Sequence, residues 1–174
     1  MDRQTRDMTI WGIGKTMSLV TIAYAVPAGV LSLAYPHVLA PRFLPTPVGV
    51  WIGVVLILLG IAMLAASGRA IVTAFRQDKL LTTGIYGLVR NPIYSAWIVF
   101  ICPGIVFVSQ WWLLLGASIV AYVYFKLTIG KEREYLVDVF GQEYVDYECR
   151  VNEMIPWPRR GGQRQAVRQS KVGQ

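Results

Sequence analysis

The sequence predicts an all-α integral membrane protein with four transmembrane helices and a cytoplasmic C-terminal helical extension. The chain is 55% hydrophobic and only 16% charged, with mean hydropathy +0.46, which is too apolar for a soluble domain of 174 residues. Four apolar runs each approach the length of a span, and basic residues gather on alternate connections between them. Residues 1–158 read as one membrane domain, because no stretch between the runs is long enough to fold alone. Residues 159–174, rich in Gly, Gln, Arg and Ser, have nothing with which to build a core and read as a disordered basic tail.

The runs lie at roughly Met17 to Tyr35, Val48 to Ser67, Ile93 to Val108 and Trp111 to Ile129, against the roughly 20 residues that a span needs. The third is the shortest. Pro103-Gly104 allows it a bend, and Ser109-Gln110 allows a tight reversal into the fourth, so runs three and four form a hairpin with Trp111 and Trp112 at its interfacial tip. Gly49 and Gly53 make a small-xxx-small pattern in the second run, which favours packing within the chain over a dimer contact. The Ala23-Tyr24-Ala25 stretch resembles a signal-peptide cleavage site, but apolar sequence continues well past it, so the first run reads as a retained span.

Arg3, Arg6 and Lys15 precede the first run, while Arg69, Arg76, Lys79 and Arg90 lie between the second and third. The connection from Pro36 to Pro47 offers only Arg42, so both termini and the middle connection are expected to face the cytoplasm. The formal charge of +7 therefore reflects topology and contact with anionic membrane lipids, and nucleic acid is not an expected partner. Two cysteines and one histidine, His37, argue against a metal centre or a disulfide framework. The sequence does not fix the oligomeric state.

The most informative stretch is Gly84-Ile85-Tyr86-Gly87-Leu88-Val89-Arg90-Asn91-Pro92-Ile93-Tyr94, a polar turn between apolar runs. Asn91 suits the cap of the third helix and Pro92 its first position, where the missing amide hydrogen costs nothing. Gly84 and Gly87 permit a sharp turn or a close backbone approach, amides at the helix start favour an anion, and Arg90 adds a charged fork. Taken singly, these residues also suit an interfacial arginine flanked by aromatics.

Beyond the fourth run a helical pattern continues from Lys126 to Phe140 and stops at Gly141. Glu132, Tyr135, Leu136 and Val139 share one face, and Glu132 lies on the same expected side of the membrane as Arg90. Gly141 to Tyr147 then reads as a helix break followed by a short amphipathic helix with Tyr144 and Tyr147 on one side, lying on the surface.

The ordered set Leu80-Leu81-Thr82-Thr83-Gly84-Ile85-Tyr86, Arg90-Asn91-Pro92-Ile93-Tyr94, Glu132-Arg133-Glu134-Tyr135-Leu136 and Phe140-Gly141-Gln142-Glu143-Tyr144-Val145-Asp146-Tyr147, closed by Ile155-Pro156, resembles the isoprenylcysteine carboxyl methyltransferase and phospholipid methyltransferase superfamily. The resemblance covers about half the chain, from Lys79 to Pro158. It implies an S-adenosyl-L-methionine-dependent membrane methyltransferase acting on a lipophilic small-molecule substrate: a lipid amine, a prenylcysteine-like carboxylate or a similar group. It also implies a cofactor pocket lined by Gly84, Tyr86, Arg90, Asn91, Pro92, Tyr94, Glu132 and Glu134, with Arg90 and Glu132 nearest the chemistry. Many relatives carry adjacent glutamates where this chain has Glu132-Arg133, so the second carboxylate is expected to be Glu134 or to be absent.

Two other readings compete. Membrane steroid and sterol reductases share a related helical core and bind a reduced nicotinamide nucleotide, although Glu132 to Tyr147 favours methyl transfer. A non-enzymatic membrane protein, such as a transporter subunit or an assembly factor, would carry an ionisable residue inside a span. None is identified in the four cores.

Overall fold

The computed structural model describes residues 3–39, 44–75 and 80–155, so the basic tail, Arg42 and Lys79 lie outside the described residues. Helix α1 spans Arg3–Ala34, α2 Pro36–Leu39, α3 Thr46–Phe75, α4 Ile85–Leu88, α5 Pro92–Ser95, α6 Cys102–Ser109, α7 Leu115–Phe140 and α8 Gln142–Arg150. A π-helical stretch, Ala96–Ile101, joins α5 to α6, and a 3₁₀ turn, Trp112–Leu114, leads into α7. Among the described residues there is no strand, only one isolated parallel bridge between Val89 and Asn152.

Among the described residues, four segments are long and apolar enough to cross a membrane: Thr16–Ala34, Thr46–Thr73, Pro92–Ser109 and Trp112–Phe140. They coincide with the four predicted runs, and the chain is a multi-pass membrane protein. Helix α1 passes unbroken through Ala23-Tyr24-Ala25. His37 lies on the short α2 and is exposed. One expectation needs correcting. Lys126 lies inside the fourth apolar segment, so the cores are not free of ionisable residues; it is exposed, with its ammonium 5.9 Å from the Tyr122 ring and 6.0 Å from that of Phe125.

The chain forms two compact units, and α3 and α7 contribute residues to both. The first contains the described residues up to Ala62 together with Ala96–Glu132. Its helices meet through small residues, as a β-carbon on Gly53 would come 2.6 Å from the Gly104 carbonyl oxygen and 2.6 Å from a Val108 methyl. Gly49 faces Phe107 and Gln110 in the same way. The small-xxx-small pattern therefore serves packing inside the chain. Pro103 stands two residues after the end of the π-helical stretch, as expected of a ring that removes one amide donor and crowds the preceding turn. Pro103-Gly104 thus places a packing contact, with Gly104 set against Ile57 and Gly53.

The hairpin tip closes as the sequence predicts. Gln110 adopts a left-handed conformation at φ 60° and its amide donates to the Val106 carbonyl at 2.8 Å. The Tyr24 hydroxyl donates to the Leu113 carbonyl at 3.2 Å, which fixes α1 beside the tip.

The second unit contains Met63–Ser95 and the described residues from Arg133 onward. Its core is small, with Tyr144, Tyr147 and Val151 buried and Leu80, Leu136, Val137 and Phe140 packed against them. Val89 is fully enclosed in the same unit. This unit holds Gly84 to Tyr94.

Candidate functional site

Two elements make the site. The first is the turn from Gly84 to Pro92, and the second is the reversal from α7 into α8 with the segment that follows it.

Gly84 stands at φ 63° ahead of α4, a backbone region that side chains disfavour, and its carbonyl accepts the Gly87 amide at 3.0 Å. The one-turn helix α4 carries Tyr86, then stops at Val89, whose amide bonds the Ile85 carbonyl at 3.2 Å. From there the backbone runs beside the segment after α8. The Arg90 amide donates to the Asn152 carbonyl at 2.8 Å and the Asn91 amide to the Glu153 carbonyl at 3.1 Å.

These bonds alter two expectations. Asn91 does occupy the cap position, because its carbonyl accepts the Ser95 amide at 2.9 Å, and the Ser95 hydroxyl also donates to it, again at 2.9 Å. Its side-chain amide, however, reaches the Glu153 carbonyl at 3.4 Å instead of capping. The amides of Arg90 and Asn91 are likewise committed to carbonyls and not open to an anion. The guanidinium of Arg90 is the charged donor in this turn. Pro92 is buried at the first helical position, as expected, and Tyr94 is half-buried.

The α7–α8 reversal turns at Gly141, which has φ 56° and donates its amide to the Val137 carbonyl at 2.8 Å. Helix α8 does not simply lie on a surface. Tyr144, Tyr147, Glu148 and Val151 recur at i, i+3, i+4 and i+7, and both tyrosines are buried, with ring centroids 6.1 Å apart in an edge-to-face arrangement. The facing stripe of α7 is Arg133, Leu136, Val137 and Phe140, one residue round from the predicted Glu132, Tyr135, Leu136 and Val139. The tyrosines select that stripe, since it offers three adjacent apolar side chains, whereas Val139 is exposed.

The charges follow from this rotation. Arg90 Nη1 donates to Glu148 Oε1 at 2.6 Å. Arg133 grips the same carboxylate with two nitrogens, Nε at 2.7 Å from Oε1 and Nη2 at 2.8 Å from Oε2. The Arg90 side chain is 9% exposed and that of Glu148 13%, against 41% for Arg133. Burial works against the charge on Glu148, but the hydrogen bonds from Arg133 and Arg90 outweigh it and hold its carboxyl below the usual carboxylate range. Two cations on one carboxylate leave the cluster with a surplus positive charge. Arg90 Nε is buried and has no hydrogen-bond partner among the described residues.

One further bond ties the two elements together, as the Tyr147 hydroxyl donates to the Tyr86 carbonyl at 2.6 Å. Burial pushes the pKa of this phenol well above its ordinary value, so it stays protonated as a donor.

Of the predicted site residues, the structure therefore gathers Tyr86, Arg90, Asn91 and Pro92 with α8 and the segment after it. Gly84 shapes the turn from an exposed position. Glu134 is exposed on α7, while half-buried Glu132 closes the first unit. Sequence reasoning missed Glu148 and Arg133. A signal was present, because Glu148 lies on the apolar stripe of α8, where a carboxylate requires a cationic partner.

Residues 46–143, more than half the chain, match the model of the phospholipid methyltransferase family. The chain belongs to that family. The match takes in α3, the Gly84 to Pro92 turn and all of α7, and stops short of Glu148. Similarity to individual members of the wider group is local. The chain is 30% identical over 81 residues to protein-S-isoprenylcysteine O-methyltransferase B of Arabidopsis thaliana, covering 47% of this chain and 41% of that one. It is 33% identical over 82 residues to the protein-S-isoprenylcysteine O-methyltransferase of Dictyostelium discoideum, covering 47% and 35%. A methanethiol S-methyltransferase from Bradyrhizobium diazoefficiens is 36% identical over 81 residues, covering 47% and 27%. The matches thus span well under two thirds of these relatives' lengths. No solved structure matches the chain.

Proposed function

We propose that this chain transfers a methyl group from S-adenosyl-L-methionine to a lipophilic acceptor at the cytoplasmic surface of a membrane. The observation that carries the reading is the family match over residues 46–143, because it includes the Arg90 turn and the helix facing α8. The names of the relatives agree with methyl transfer to more than one kind of atom, an isoprenylcysteine oxygen in some and a thiol sulfur in another.

The residues present suit such a cofactor. A buried guanidinium with an unused Nε, in a cluster of surplus positive charge, is matched to a carboxylate. When bound, the cofactor supplies a methyl group already activated by the adjoining sulfonium, so the protein has mainly to position and desolvate. Arg90 takes the carboxylate of cofactor or acceptor. Glu132 or Glu134 takes the cofactor's ammonium or ribose, and Tyr86 and Tyr94 stand beside the adenosine. Gly84, Asn91 and Pro92 frame the turn. A carboxylate acceptor needs no general base, whereas an amine acceptor gives up a proton that one of the two glutamates accepts. The basic residues on the middle connection favour a cytoplasmic position for this site and for both termini, by the positive-inside rule.

The test incubates detergent-purified protein with methyl-labelled S-adenosylmethionine and membrane lipid extract. Label entering the lipid phase supports the reading, and the labelled product names the acceptor. No label in lipid, together with binding of a reduced nicotinamide nucleotide, would replace it with a reductase.

A further inference from the structure

We propose that Glu148 is a positioning residue for Arg90, acting as a carboxylate bridge that Arg133 orients and that aims the Arg90 guanidinium at an anionic ligand group. The inference rests on the reading of Arg90 as an anion-binding residue of the cofactor site.

The geometry separates this bridge from an ordinary surface pair. Arg133 contacts both oxygens of Glu148 at 2.7, 3.0 and 2.8 Å, which fixes the plane of the carboxylate as well as its place. Oε1 is shared, so the bond from Arg90 Nη1 at 2.6 Å falls on a group that is already held. The main chain of Arg90 is held by the segment that follows α8, through the Asn152 carbonyl at 2.8 Å. Both ends of the arginine are therefore set by α8 and the residues just after it. An arginine fixed in this way loses little further side-chain freedom when a ligand arrives.

The unused donor gives the bridge a purpose. Arg90 Nε is buried without a partner among the described residues, and such a group costs about 1–3 kcal/mol unless an acceptor satisfies it. Glu148 is committed to Nη1 and to Arg133, so the acceptor must come from elsewhere.

A charge exchange between α7 and α8 separates a positioning role from a structural one. S-adenosylhomocysteine, which carries the same carboxylate, is titrated into the full detergent-purified chain while thermal unfolding is followed in parallel. Glu148→Gln should weaken binding about tenfold or more, the worth of one charge-assisted hydrogen bond. The double variant Arg133→Glu with Glu148→Arg restores an opposite-charge pair between the helices but sets a guanidinium against Arg90. It should recover thermal stability relative to Glu148→Gln without recovering affinity. Recovery of both would overturn the inference, as would wild-type affinity in Glu148→Gln. Absence of binding by the wild-type chain would instead overturn the cofactor reading, and this inference with it.

Discussion

Different physics holds each of the two units together internally. In the first, close contacts run through glycine: Gly53 meets Gly104 and Val108, and Gly49 meets Phe107 and Gln110, with no room for a side chain between them. In the second, the helices meet through shared polar groups, namely the Glu148 carboxylate with Arg90 and Arg133, and the Tyr147 hydroxyl with the Tyr86 carbonyl. Shape suffices within lipid, where helix association gains nothing from apolar burial. In the second unit, a few buried tyrosines and a valine make too small a core to fix a turn, and directed bonds must do so. The first unit should therefore tolerate changes that conserve volume, and the second changes that conserve charge and hydrogen bonding.

The largest expected effect comes from Arg90→Ala. It removes the buried guanidinium and leaves Glu148 to Arg133 alone, so S-adenosylhomocysteine affinity should fall about 100-fold in a binding titration, the worth of roughly two charge-assisted hydrogen bonds. Gly53→Val breaks the other side of the comparison. Its side chain would strike the Gly104 carbonyl, at a cost of about 1–3 kcal/mol read from unfolding in detergent, while affinity in the folded fraction stays close to wild type.

Tyr147→Phe is milder. It removes one hydroxyl and leaves the Tyr86 carbonyl without that donor, so about 1 kcal/mol of stability should be lost with the tyrosine stack otherwise retained. The smallest effect is a pH dependence. The carboxyl of Glu148 is held below its ordinary pKa of 4.5, so its stabilising contribution is fully present above that value and is lost as pH falls through the lower folded-state value. Thermal stability should show an acid-side decline that Glu148→Gln lacks. An identical decline in the variant would mean that other carboxylates govern it.

The same contrast explains what the sequence could reveal. Spans are set by local composition, so hydropathy placed the start of each within a few residues, and Gly141 and Pro92 were legible from the backbone conformations they favour. The partnership of Arg90 with Glu148 was not, since it joins residues 58 apart and depends on which stripe of α7 the α8 tyrosines choose. A rotation of one residue moved that stripe from Glu132 to Arg133, and the carboxylate in contact with Arg90 became Glu148. Lys126 was overlooked for the opposite reason, because a single charge near the end of an apolar run barely changes its average hydropathy.

The central proposal is that Arg90, held between α8 and the segment beyond it, takes a carboxylate of cofactor or acceptor, and the methyl donor's carboxylate is the one open to direct test. Titration of S-adenosylhomocysteine into detergent-purified wild-type and Arg90→Ala protein, each first shown to be folded by thermal unfolding, tests it most directly. Saturable binding by the wild type that Arg90→Ala largely loses is the predicted result, and equal affinity in the two proteins would contradict it.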